Sequence, residues 1–220
     1  MFDPSEILRD RDDLAGARSK HETVLHFLSR NRDAAGAAAE QMSLARMYLD
    51  EGHAADAARL AREAAVEFET QKRSDDEALA QALLAKALAA HGQNQEARAA
   101  RERAARLESK SQALLTRLQV EIAEADADAV LAQRGRSASA SEIRRLPEIA
   151  NEAHAHGIRS LEFEAQLVHG EWEGPCVTPG AGRALRVLQR EASAKGFLLV
   201  ASRAARFCGQ ASRETGSGHL

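Results

Sequence analysis

Apolar residues recur along this chain three and four positions apart, with charged residues between them, which places them on single helical faces. Residues 12–29 carry Ala17, His21, Val24 and Leu28 at i, i+4, i+7 and i+11, and predict a helix. A second helix over 36–51 carries Leu44, Ala45 and Tyr48. Gly52 follows it as the left-handed stop that helix C-termini favour. Residues 54–72 are striped by Ala57, Ala61, Ala64 and Phe68. The Ser-Asp-Asp-Glu stretch at 74–77 reads as a capping box opening the next helix, which ends at Gly92. Helices over 94–108 and 112–133 follow, the latter striped by Leu115, Leu118, Ile122, Ala125 and Ala129.

The second half is less regular. Ser139 and Glu142 form another capping pair, and Ile143, Leu146, Ala150 and Ala153 supply a stripe that Pro147 is expected to kink or to delay. Residues 159–173 carry Leu161, Ala165, Val168 and Trp172. The segment 174–182 reads as a loop, 183–195 and 197–208 as helices, and 209–220 as a disordered tail.

The pattern repeats. Shifting residues 44–65 forward by 40 lays Leu44 on Leu84, Ala45 on Ala85, Gly52 on Gly92, Ala57 on Ala97, Ala64 on Ala104 and Ala65 on Ala105. Shifting backward lays Ala57 on Ala17, while Gly135 and Ala140 repeat the Gly–Ala gap further on. Helix pairs too small to bury their own faces, recurring in this way, predict a stacked solenoid.

Composition sharpens that picture. Aromatic residues are only 4%, so the interior is built from Ala, Leu and Val, and small residues fill space only where helices approach closely. The alanines at 45, 57 and 64 and their repeats are the expected crossing points. The net charge of −3 and pI of about 6.3 give no electrostatic footprint for nucleic acid, and Arg alternates with Glu and Asp as on a solvated surface. Cys176 and Cys208 have no metal or disulfide spacing, and no apolar run approaches the length of a membrane span. A cytoplasmic location without membrane contact is expected.

The large–small–aromatic–Gly–Ala order of Leu44, Ala45, Tyr48, Gly52, Ala57 and Ala64 resembles the tetratricopeptide repeat (TPR). Leu84, Ala85, Leu88, Gly92, Ala97 and Ala104 match it with Leu88 in the aromatic's place. The spacing of about 40 exceeds the family's 34, which asks for longer helices or extended turns, and the closing proline is absent. The resemblance implies an all-α, right-handed superhelical solenoid of antiparallel helix pairs. It would form a single domain over 1–208, with units near 1–30, 36–72, 75–108, 112–156 and 158–208. Ala17 aligns with the second helix of a unit, so the chain reads as starting mid-repeat, as the C-terminal part of a longer protein would.

Chemistry is sparse. The Pro-Gly-Ala-Gly-Arg-Ala-Leu stretch at 179–185 lacks the lysine of a phosphate-binding loop and a preceding strand. His154 and His156 are two apart and project from different sides of a helix. Glu152 shares a face with His156, and His169 and Glu171 lie one helix on, but no three ligands converge for a metal. Carboxylate pairs such as Asp75/Asp76, Asp126/Asp128 and Glu162/Glu164 fit ordinary helix surfaces, and Cys176 has no base beside it in sequence. A non-catalytic chain without cofactor is expected.

What remains is surface. In TPR domains the first helix of each pair lines a concave face that holds a peptide. Carried over, the binding positions are Met42, Arg46, Leu49 and Asp50 in one repeat and Leu79, Leu83 and Lys86 in the next. Met42, Arg46 and Leu49 form one stripe of mixed apolar and cationic character, suited to a partner with acidic and apolar side chains. The expected function is a protein- or peptide-binding scaffold. Ala- and Arg-rich repeats of this kind look like those of larger bacterial signalling or regulatory proteins. Two other classes stay open. One is self-association, as a homo-oligomer or by packing on an N-terminal effector domain; the other is an enzyme or small-molecule sensor using 135–182.

Overall fold

The computed structural model describes the backbone of residues 14–133, 140–173 and 181–216. Ten helices occupy these residues: α1 Leu14–Arg30, α2 Ala34–Asp50, α3 Ala54–Thr70, α4 Ser74–His91, α5 Asn94–Glu108, α6 Leu114–Gln133, α7 Ala140–Ala155, α8 Arg159–Trp172, α9 Ala181–Ala194 and α10 Leu198–Gly216. No strand occurs among the described residues.

Six of the links between helices are one turn used repeatedly. A residue with positive φ sits at 32, 52, 72, 92, 157 and 196. In each case its N–H bonds back three residues and the next N–H bonds back five, as in Gly52 to Leu49 (3.0 Å) and His53 to Tyr48 (2.7 Å). These bonds satisfy carbonyls that the ending helix would otherwise leave open. The carbonyl after the left-handed residue then accepts the first bond of the following helix, as Ala57 to His53 does at 3.1 Å. The first four such residues are spaced twenty apart, because α1, α2 and α3 each have 17 residues and the links are three long. The 40-residue period therefore comes from long helices joined by short turns.

Three local expectations are corrected. The cap position before α4 is Arg73, with no side-chain cap bond, and Ser74 is the first helical residue. Arg73 Nε donates to Asp76 instead, and Glu77 turns to Arg103 (2.6 Å). Pro147 lies inside α7, which begins seven residues earlier at Ala140, so it does not delay the start of the helix. The tail is helical as far as Gly216, because α10 continues past 208. Ser139, Gly135 and Cys176, the Pro-Gly pair at 179–180, and the side chains of Glu142 and Cys208 lie outside the described residues.

The stacking has two layers. α2, α4, α6, α8 and α10 each touch the next of the set and form the inner layer. α1 packs on α2, and α3, α5, α7 and α9 each wedge between two consecutive inner helices. The predicted crossing alanines are buried where these wedges meet: Ala45, Ala57, Ala64, Ala85 and Ala104 are 0% exposed and Ala97 is 1%. A methyl there sets the interhelix distance, and any longer side chain would push the layers apart. Gly170 goes further. A Cβ on it would stand 2.6 Å from Leu185 Cδ2, so its bare backbone is what lets α9 seat on α8.

Candidate functional site

The inner helices run parallel and present one side to a concave surface. Near the C-terminal halves of α2, α4, α6 and α8 and the first half of α10, this surface holds a cavity of about 340 Å³. It is lined by Leu49 and Asp50 of α2, Lys86 and Ala90 of α4, Asp126, Ala129 and Val130 of α6, Val168 and Glu171 of α8, and Arg203, Arg206 and Phe207 of α10. A smaller cavity of about 110 Å³ adjoins it and shares Leu49, Asp50 and Lys86. Its remaining walls include Arg46, Leu79, Leu83, Gln119, Ala123, Ser160, Leu161 and Glu164. All five inner helices thus meet around one continuous concavity.

Six of the seven sequence-predicted positions (Arg46, Leu49, Asp50, Leu79, Leu83 and Lys86) line these cavities. Met42 does not. It is 7% exposed and packs in the core with Ala38 and Ala45, at i−4 and i+3 on its own helix. The i, i+4, i+7 spacing of 42, 46 and 49 is shared by two adjacent ridges of α2, and Met42 belongs to the one that faces inward. Leu49 and Leu79 also brace the same core cluster, so they serve both surfaces.

Lys86 is not a free cation. Its Nζ lies 2.6 Å from Asp126 Oδ2, and Arg203 Nη2 lies 3.1 Å from Glu171 Oε2. The Asp126 side chain is only 9% exposed. Burial alone would raise its pKa, but Lys86 and Arg203 outweigh burial and hold the carboxyl below the usual range. Glu171 moves the other way: burial and then the Asp126 charge push it up, against the pull of Arg203. Arg203 is held firmly charged: burial would lower its pKa, but Glu171, Asp126, Asp50 and Glu164 together outweigh it and raise it. Arg46 and Arg206 make no ion pair among the described residues.

Sequence reasoning missed Asp126, Glu171 and Arg203. Two of them were within reach of the repeat. Arg46, Lys86 and Glu171 each lie fourteen residues after a left-handed turn residue (32, 72 and 157), and Asp126 lies 40 after Lys86. One repeat position therefore carries a cation in α2 and α4 and an anion in α6 and α8. Arg203 has no counterpart in that register and could be found only from the fold.

Elsewhere, His154 sits 3.0 Å from Glu162, and Arg159 reaches the same carboxylate at 2.7 Å. Burial would raise the Glu162 pKa, but these two partners lower it overall. Glu152 pairs with Arg117 at 2.5 Å. Among the described residues no group of three His, Cys, Asp or Glu side chains is placed to hold a metal ion, and no helix is long and apolar enough to cross a membrane.

No family model matches the chain, and no curated protein does. Among solved structures it is similar to the nearly identical TPR-like repeats of a kinesin-light-chain-type protein from Podosopora anserina. Identity is 20%, 92% of each chain is covered and the TM-score is 0.51; a single-substitution variant of that protein gives the same values. The shared feature is the fold, an all-α solenoid of TPR-like repeats.

Proposed function

We propose that this TPR-like solenoid is a non-catalytic scaffold that takes a protein or peptide segment along its concave face. TPR-like repeats commonly serve protein interaction, and one observation carries the reading to this surface. Two adjoining cavities, walled by five different helices, combine apolar patches (Leu49, Leu79, Leu83, Val130, Val168, Phe207) with Arg46 and Arg206, cations that make no ion pair among the described residues. A preformed surface of this kind binds without ordering the receptor, so little conformational entropy is lost on that side. Acidic and apolar side chains suit it. A place in a larger bacterial signalling or regulatory protein is the context the Ala- and Arg-rich repeats suggest.

The test is selection from a displayed random-peptide library, with enriched peptides remeasured on variants. Arg46→Glu should weaken them roughly tenfold, the ~1.4 kcal/mol of one charge contact. Val66→Arg on exposed α3 should leave them unchanged. Binding that ignores Arg46→Glu and falls with Val66→Arg would move the site to the convex face.

The alternative reading, self-association or packing on an effector domain, draws on α1. Phe27 and Val24, one turn apart there, are 64% and 40% exposed. Light scattering across a concentration series checks it: a mass that rises with concentration and stays monomeric in Phe27→Ser supports that reading, and a constant monomer mass removes it.

A further inference from the structure

The ion pairs of the concave face each join two consecutive inner helices that also pack on one another, and all four of their residues border one cavity. Lys86–Asp126 ties α4 to α6 and Arg203–Glu171 ties α10 to α8, with the side chains of Lys86, Glu171 and Arg203 each about one-fifth exposed or less. Arg203 also feels the charges of Asp126, of Asp50 on α2 and of Glu164 on α8. Asp50 and Arg203 line the same cavity although they belong to the first and last inner helices of the described arc. Asp50, Asp126, Glu164 and Glu171 thus border the hollow together with Lys86 and Arg203, and with Arg46 and Arg206 on the same walls.

We infer that Lys86, Asp126, Glu171 and Arg203 form a charge clasp that holds α4, α6, α8 and α10 around their shared cavity and so sets the curvature of the solenoid and the width of its concave face.

Apolar packing between neighbours fixes each step of a solenoid, but each step carries a small tolerance, and tolerances add over five helices. Charges that face one another around a shared cavity can remove that accumulated freedom. The clasp is suited to this because its acids repel one another wherever Arg203 does not stand between them. In a partly buried site such charges are screened far less than surface pairs. Removing one cation leaves the facing carboxylates uncompensated, a far larger perturbation than loss of a surface ion pair. The geometry also separates two groups of charged residues on one face: Lys86 and Arg203 hold shape, while Arg46 and Arg206 are left to contact a partner.

The test is a distance between inner helices. Spin labels at Ala39→Cys on α2 and Leu198→Cys on α10, in a Cys176→Ser/Cys208→Ser full-length background, report the separation of the two ends by pulsed electron–electron resonance. Arg203→Met should shift the distance distribution to longer values and broaden it, with far-ultraviolet circular dichroism unchanged. Arg203→Lys, which keeps the charge, should restore most of the wild-type distribution, as a loss of packing volume alone would not predict. Lys86→Met provides an independent reading should Arg203→Met not fold: it should lengthen the distance by a smaller amount. A folded Arg203→Met or Lys86→Met whose distribution superimposes on wild type overturns the clasp.

Discussion

Residues 14–108 and residues 114–216 stack helices in the same two layers but fill the space between them differently. In the first region one cluster runs from α2 through α5 into α6, and fourteen of its twenty-two buried residues are alanine. In the second, two separate clusters are built mainly from Leu, Ile, Val and Phe, among them Leu118, Ile143, Leu146, Phe163 and Leu185. The turns differ in step. Left-handed residues fall every twenty positions up to 92, and then, among the described residues, at 157 and 196, with links of unequal length between. The two properties are connected. An alanine contact has one size, so helices that meet through alanine can be the same length and use the same turn. Larger side chains fill gaps of individual shape, and nothing then holds helix or turn to a common length. α6 belongs to both regions, giving Leu131 and Ala127 to the first cluster and Leu118 and Ile122 to the second. It is also where ions replace alanine as the tie: Asp126 to Lys86 on α4, Asp128 to Arg101 on α5 and Glu121 to Arg145 on α7.

Large-to-small substitution should break this comparison most visibly. Phe163 is 1% exposed and meets the Phe197 ring edge-on at 5.2 Å between centroids, joining α8 to the start of α10. Phe163→Ala should cost about 3–5 kcal/mol from lost transfer energy and the cavity left behind. Because a solenoid couples only neighbours, the loss should stay local. Hydrogen exchange should show protection falling in α8–α10 while amides of α2–α4 hold. An equal fall in both regions would mean that the two packing styles form one cooperative unit.

The reverse substitution probes the first region. Ala57 has no exposed surface and stands at the α2–α3–α4 junction, where a wider side chain must spread two inner helices. Ala57→Leu should destabilise by about 1–3 kcal/mol through overpacking, read from the midpoint of a urea transition at constant slope. A neutral result would show that alanine spacing is not what sets the interhelix distance.

Much of this architecture was legible in the sequence because its strongest signals are local. The stripes of Ala57, Ala61, Ala64 and Phe68 place α3 to within two residues at its C-terminus, and the Gly52/Gly92 pair marks both turn and period. What failed depended on neighbours. Met42 and Leu49 look alike in a helical stripe, and only the position of the adjoining helices decides that one is core and the other cavity wall. Lys86 reads as a free cation until Asp126 is brought against it. Gly170 gave no signal as a packing residue, since its meaning is the distance to Leu185, fifteen residues on. The left-handed turns at 32 and 72 were also hidden, because Arg and Lys occupy positions where glycine is the readable residue.

Those two positions give the smallest and sharpest test. Arg32 and Lys72 have φ of 58° and 59°, in the same hydrogen-bonded turn that glycine makes at 52 and 92. Neither makes an ion pair among the described residues. A left-handed non-glycine residue costs roughly 1–2 kcal/mol, while glycine's extra freedom in the unfolded chain costs about 0.5–1. The difference leaves Arg32→Gly and Lys72→Gly each more stable by about 0.5–1 kcal/mol. Gly52→Ala, which has open space around its Cβ but φ of 85°, should lose a similar amount, with no steric clash to confuse the reading. Opposite signs at 72 and 52 would establish that the twenty-residue step is set by turn conformation, and that the first region keeps its period even where the sequence does not spell it. Equal signs would place the control of the period in the alanine contacts alone.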